Sequence, residues 1–149
     1  MSDLRDLYQE VIIDHSRRPR NFGALARYNH RAEGFNPLCG DRLTLYLKVA
    51  GDLVEAASFE GTGCAISTAS ASLMTEALKG KSIAQAEALF AGFHALVTGG
   101  APVPDALPLG KLQVLAGVQE FPARIKCATL AWHTLHAALH DRAEPVSTE

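Results

Sequence analysis

The chain has 149 residues, 48% of them hydrophobic and 20% charged, enough to bury an ordinary core and too apolar for global disorder. A formal net charge of −2 gives no general attraction to nucleic acid or to an anionic membrane, and no apolar run approaches the roughly 20 residues that span a bilayer. The opening MSDLRDLYQE is too polar for the apolar stretch of a signal peptide, so a cytoplasmic protein is expected.

Leu4, Leu7, Tyr8, Val11 and Ile12 share a helical face, and RRPRN (17–21) with Gly23 ends that helix. A weak strand pattern lies around 27–35. LTLYLKV (43–49) alternates cleanly, with Leu43, Leu45, Leu47 and Val49 on one side. Gly51-Asp52 then separates it from LVEAASF (53–59), which makes a hairpin. After Gly61-Thr62-Gly63 comes an Ala- and Ser-rich helix carrying Ile66, Leu73 and Ala77, stopped at Gly80. Ser82 and Gln85 have capping-box spacing and open a helix with Ile83, Ala86, Phe90, Phe93 and Val97. Gly99-Gly100 and prolines 102, 104 and 108 mark a loop, a short helix is expected at 110–117, and Pro122 opens a last helix to about His140. Strands precede helices without βαβ alternation. The expectation is an α+β domain over residues 1–142, a small antiparallel sheet of about three strands covered by helices, with a frayed tail at 143–149.

Three cysteines without a secretory signal point to structural, catalytic or metal-binding thiols rather than disulfides. Cys39 precedes the first clear strand. Cys64 follows G-T-G at a helix start, where free backbone N–H groups favour a thiolate. Cys127 shares a helical face with Leu130, Ala131, Thr134, Leu135 and Ala138, so it points inward. Taken singly, each could be an ordinary buried thiol, and the wide spacing matches no zinc-finger pattern. Asp41 shifts the balance, because Gly40 lets C-G-D bend so that both side chains reach one centre. Three thiolates and a carboxylate make a complete tetrahedral set for Zn²⁺, or part of one for an Fe–S cluster. Arg42, Arg124 and Lys126 flank these positions and either offset the site's negative charge or sit solvated at the surface. His133, His136 and His140 share a face, on which a second metal site is conceivable and solvated histidines are the simpler reading. Asp14 and His15, beside Arg17, Arg18 and Arg20, read as a basic solvated helix end or as a docking patch. Ser67, Ser70 and Ser72 fit no nucleophile elbow and read as packing residues.

Four blocks in order carry a resemblance: VIIDHSRRPRNFG (11–23), NPLCGD (36–41), GTGCAISTASASLMTEALKGK (61–81) and RIKCATLAW (124–132). The chain resembles the U-type iron–sulfur cluster assembly proteins along nearly its whole length, which implies a SufE/NifU-like fold. Scaffolds of the Isc branch usually carry histidine before the third cysteine and LPPVK slightly upstream. This chain has Lys126 and FPARI (121–125), with a longer segment before Cys127, and so is similar to the zinc-dependent SufU branch. That resemblance implies zinc held by Cys39, Asp41, Cys64 and Cys127, sulfur accepted on Cys39, and Arg124 engaged with the partner. It implies a sulfurtransferase acting with a Suf-type, pyridoxal-phosphate cysteine desulfurase and feeding the Suf cluster-assembly complex. In that family, a desulfurase histidine takes the zinc position that the reacting cysteine leaves. The alternative is a scaffold that binds a [2Fe-2S] cluster on the same ligands.

Overall fold

A computed structural model describes residues 3–101, 107–142 and 144–148 of the chain. Pro102, Pro104, the side chain of Leu4, and tail residues 143 and 149 lie outside the described residues. The elements run α1 (Asp3–Arg17), β1 (His30–Asn36), β2 (Asp41–Ala50), β3 (Leu53–Thr62), α2 (Ala65–Leu78), α3 (Ile83–Thr98), a 3₁₀ helix (Gly110–Glu120), α4 (Pro122–Leu139) and β4 (Val146–Ser147). The sheet order is β3-β2-β1-β4. β2 pairs antiparallel with both β1 and β3, so the hairpin at Gly51-Asp52 and the weak first strand are both present.

The tail departs from expectation. Val146–Ser147 pairs parallel with Gly34 and Phe35, and the Thr148 N–H donates to the Phe35 carbonyl at 3.2 Å, so this stretch is pinned as a fourth edge strand rather than frayed. It docks because β1 is otherwise an open edge with unpaired backbone groups.

Alternation on β2 buries Leu43, Leu45, Leu47 and Val49, and α2 and α4 pack on that apolar side of the sheet. Small residues let the two helices approach each other. The Ser70 hydroxyl donates to the Ala128 carbonyl at 2.6 Å and accepts from the Trp132 indole N–H at 3.2 Å. Trp132 is fully buried and stacks on Phe93 of α3 with ring centroids 4.7 Å apart. The Ser82–Gln85 capping box is formed in both directions at the start of α3. The predicted short helix is a longer 3₁₀ helix, in which Leu112, Leu115 and Val118 recur every third position and so line one face, with Val114 buried beside them.

Two helix readings need correction. On α1 the inward stripe is Tyr8, Val11, Ile12 and His15, while Leu7 is 54% exposed because it lies roughly 90° around the helix from that stripe. His15 is 1% exposed rather than solvated, and its Nδ1 is 2.7 Å from the Ser72 hydroxyl, which also accepts from the Arg20 backbone N–H at 2.8 Å. Burial holds His15 below the ordinary histidine pKa, with the nearby Arg20 and Lys111 charges adding to the effect and Glu76 opposing it. Asp14 does lie at a basic helix end, paired with Arg18 at 3.3 Å and Arg20 at 2.6 Å. On α4 the histidines read as solvated are not all so: His133 and His136 are half-buried against α3, and His140 alone of the three is exposed.

Candidate metal centre

The site forms where the β1–β2 turn, the β3–α2 junction and the start of α4 meet. Asn36 ends β1 and Asp41 begins β2, and the two are register partners. The intervening turn is closed by N–H donation from Cys39 (3.3 Å) and Gly40 (2.8 Å) to the Asn36 carbonyl. Gly40 has φ +73°, a conformation that L side chains rarely adopt, so the bend read from C-G-D depends on this glycine. The turn leaves Cys39 exposed while Asp41, two residues further, is 1% exposed. Cys127, on the inward face of α4, is 2% exposed.

Ligand atoms of Cys39, Asp41 and Cys127 all lie within 4.8 Å of one another, and the Cys39 and Cys127 sulfurs are 3.3 Å apart. Tetrahedral Zn–S bonds of about 2.3 Å put sulfurs about 3.8 Å apart, so a small opening of this pair would seat the ion. Burial pushes the Cys127 thiol well above its ordinary range, and hydrogen bonds with Cys39 and Asp41 and the charge of Cys64 push the same way. A cation among these donors would offset the burial that keeps the Cys127 thiol protonated. The donor set therefore fits a thiophilic divalent metal.

Cys64 is placed at the rim. Its backbone N–H donates to Asp41 Oδ1 at 2.9 Å, fixing the carboxylate, while its sulfur accepts from the Ser67 N–H at 3.5 Å and caps α2. Its sulfur is not among the three converging donors, although it is near enough to Cys127 to raise that thiol. Arg42 and Arg124 are exposed and Lys126 is half-buried. Among the described residues none of the three forms an ion pair with the donors; Arg124 lies instead 6.0 Å from the Phe121 ring centroid.

Two residues escaped the sequence reading. Asn36 is fully buried, and its amide N–H₂ lies 3.4 Å from Asp41 Oδ2 and 3.6 Å from the Cys127 sulfur. It links two donors that are distant in sequence, and its place in NPLCGD was the available signal. Gly63 is the other: a Cβ there would fall 2.9 Å from Asp41 Oδ1 and 2.4 Å from the Ser67 hydroxyl, so the glycine leaves the space the carboxylate occupies.

The family described as NifU-like N terminal domain matches residues 7–128. The chain is 48% identical to the "Zinc-dependent sulfurtransferase SufU" of Bacillus subtilis, over 90% of each chain. It is 45% identical to the "Iron-sulfur cluster assembly scaffold protein IscU" of Streptococcus pyogenes, over 93% of this chain and 86% of that one. Among solved structures, a putative scaffold protein for the SUF system from Fervidobacterium islandicum superposes with a TM-score of 0.82 at 34% identity, covering 91% of this chain and 98% of that one. With matched residues running through all three cysteines, from the first helix into the last, the chain belongs to the NifU-like N-terminal domain family.

Proposed function

We propose that the chain is a zinc-dependent sulfur acceptor: it takes persulfide sulfur from a Suf-type cysteine desulfurase onto Cys39 and relays it, in the cytoplasm, to the Suf machinery that builds iron–sulfur clusters. The observation that carries this reading is one donor set with two differently placed sulfurs, an exposed Cys39 3.3 Å from a buried Cys127. The likeness to the Bacillus subtilis sulfurtransferase supports it.

Zn²⁺ held by Cys39, Asp41, Cys64 and Cys127 would keep the thiols deprotonated at neutral pH. Cys64, whose sulfur caps α2 here, would have to give up that cap to serve as the fourth ligand. Cys127 is the fixed anchor, since α4 packing holds it in the core. Asp41 is held from both sides, by the Cys64 N–H and the Asn36 amide. Cys39 and Cys64 are both exposed and Cys127 is buried; Cys39, on the glycine-hinged turn and 3.3 Å from the Cys127 sulfur, is the donor we assign to the incoming persulfide. Its thiolate electron pair attacks the outer sulfur of the desulfurase persulfide. A new S–S bond forms on Cys39, the old S–S bond breaks, and its electron pair leaves with the desulfurase cysteine as thiolate. No external oxidant or reductant is required. Leu38, 66% exposed, and Phe121, 55% exposed, put apolar surface on the two segments that carry the mouth of the site, and Arg124 stands beside Phe121 as the contact for the partner.

Desulfurase turnover on free cysteine, measured with the wild-type protein and with Cys39→Ala beside a zinc assay, tests this. Stimulation by wild type and its loss in the variant are expected; no stimulation by the wild type would sink the reading. The Streptococcus pyogenes relative, named as a scaffold, supports a second reading, a [2Fe-2S] cluster assembled on the same ligands. Visible absorption of protein reconstituted with iron and sulfide separates the two, because zinc is colourless.

A further inference from the structure

At the other end of α4 a second set of donors converges. His136 and His140 are four residues apart, one turn above the other, with ring centroids 4.3 Å apart. Glu87 of α3 reaches across to both. His136 Nδ1 lies 3.3 Å from Glu87 Oε1 and 3.2 Å from Oε2, and His140 Nε2 lies 3.4 Å from Oε2. The donor atoms of all three residues fall within 4.8 Å of one another. Metal bonds of about 2.0–2.1 Å to imidazole and carboxylate place tetrahedral ligands about 3.3–3.4 Å apart, which the two imidazole–carboxylate separations match. Among the described residues the ion-pair partners of Glu87 are these two imidazoles alone, so no lysine or arginine competes for the carboxylate.

The surroundings hold the donors in place. His136 tilts against the Phe90 ring, centroids 6.0 Å apart, and Phe90 also packs on His133 and Trp132. All three side chains remain open to solvent, with exposures of 34% for Glu87, 37% for His136 and 49% for His140. An ion can enter from that side, and water can complete its coordination.

We propose that Glu87, His136 and His140 form a second metal site, a two-histidine, one-carboxylate set bridging α3 and α4, for a borderline divalent cation such as Zn²⁺ or Ni²⁺. Thiophilic ions are drawn to the cysteine corner, whereas imidazole and carboxylate donors suit zinc and nickel without any thiolate. By tying two helices together, bound metal stabilises the folded state in proportion to its occupancy. This site stands independently of the sulfur-acceptor reading.

The test uses untagged full-length protein loaded with one Zn²⁺ per chain, so that the thiolate-rich cysteine corner is filled and the histidine cluster is left open. Ni²⁺ is titrated in, bound nickel and zinc are counted after desalting, and the histidine ring resonances are followed by NMR. One Ni²⁺ per chain, retained zinc, and paramagnetic broadening of the His136 and His140 rings are expected. In His140→Gln the uptake should weaken by more than the roughly 10–100-fold that loss of an outer hydrogen-bond partner costs a metal site. Glu87→Gln, which keeps the side-chain volume, should weaken it in the same direction, and an unshifted melting temperature without metal shows that both variants fold. Absence of nickel uptake, nickel gained only as zinc is lost, or uptake unchanged in His140→Gln would each overturn the proposal and leave a hydrogen-bonded surface triad.

Discussion

α4 carries a donor cluster near each end, and the two differ in how they are built. The cysteine corner draws on three segments far apart in sequence, buries Asp41 and Cys127, and leaves Cys39 and Cys64 exposed. The histidine cluster, whose nearer ligand lies nine residues or roughly 14 Å along the helix, uses two adjacent helices and stays open to water. Burial makes the first corner demanding: each donor there needs a partner, and Asn36, Gly63 and the Cys64 N–H are all shaped around one carboxylate. Exposure makes the second tolerant, since water satisfies whatever the protein does not. A buried donor set can be tuned for chemistry, while a surface set can be lost with little harm to the fold.

That contrast can be attacked at its strongest point. Asp41→Ala removes a donor and strands two N–H groups in a buried corner, so zinc affinity should fall by more than about 100-fold, read by competition with a chromophoric chelator. Unchanged affinity would mean the corner is no more demanding than the surface cluster. Gly63→Ala adds no charge and removes no ligand, yet its Cβ meets Asp41 Oδ1 at 2.9 Å. Denaturant melts should show a loss of about 1–3 kcal/mol, with weakened zinc retention.

Acid offers a test away from both clusters. His15 is buried, with a pKa held below its ordinary 6.5, so the unfolded chain takes up its proton first as pH falls. Stability present above pH 6.5 should therefore decline below it, and His15→Gln should flatten that part of the profile. The smallest effect belongs to the surface cluster: His140→Gln should change metal-free stability by about 0.5 kcal/mol or less. A larger loss would show that the histidine end is built into the core as firmly as the cysteine end.

The two clusters also differed in how legible they were. Cys39 and Asp41 were readable because one short turn carries both, and Gly40 announced the bend that the φ of +73° realises. Periodicity showed only that Cys127 points inward; its grouping with Cys39 and Asp41 came from the resemblance to the U-type assembly proteins. The pairing of His136 with His140 was visible from the same periodicity, but Glu87 was not, because nothing local says which residue of α3 faces α4. Asn36 was hidden by its ordinary role as a turn residue, and His15 by the arginines around it, since charge in sequence suggests solvent while the neighbouring apolar stripe turns that side chain inward. The fourth strand was missed because two residues carry no periodicity, and only the open edge of β1 calls for them. Local geometry was legible from the residues themselves, and of the contacts between distant segments only the cysteine set was anticipated, through the resemblance.

The central claim is that Cys39 receives the sulfur. Its most direct measurement is mass mapping of the protein after a single desulfurase turnover with ³⁴S-labelled cysteine, under conditions that preserve persulfides. The account predicts one labelled sulfur atom on the peptide containing Cys39, and none on Cys64, Cys127 or a Cys39→Ala variant. Label on Cys64 or Cys127 with Cys39 unmodified would contradict it.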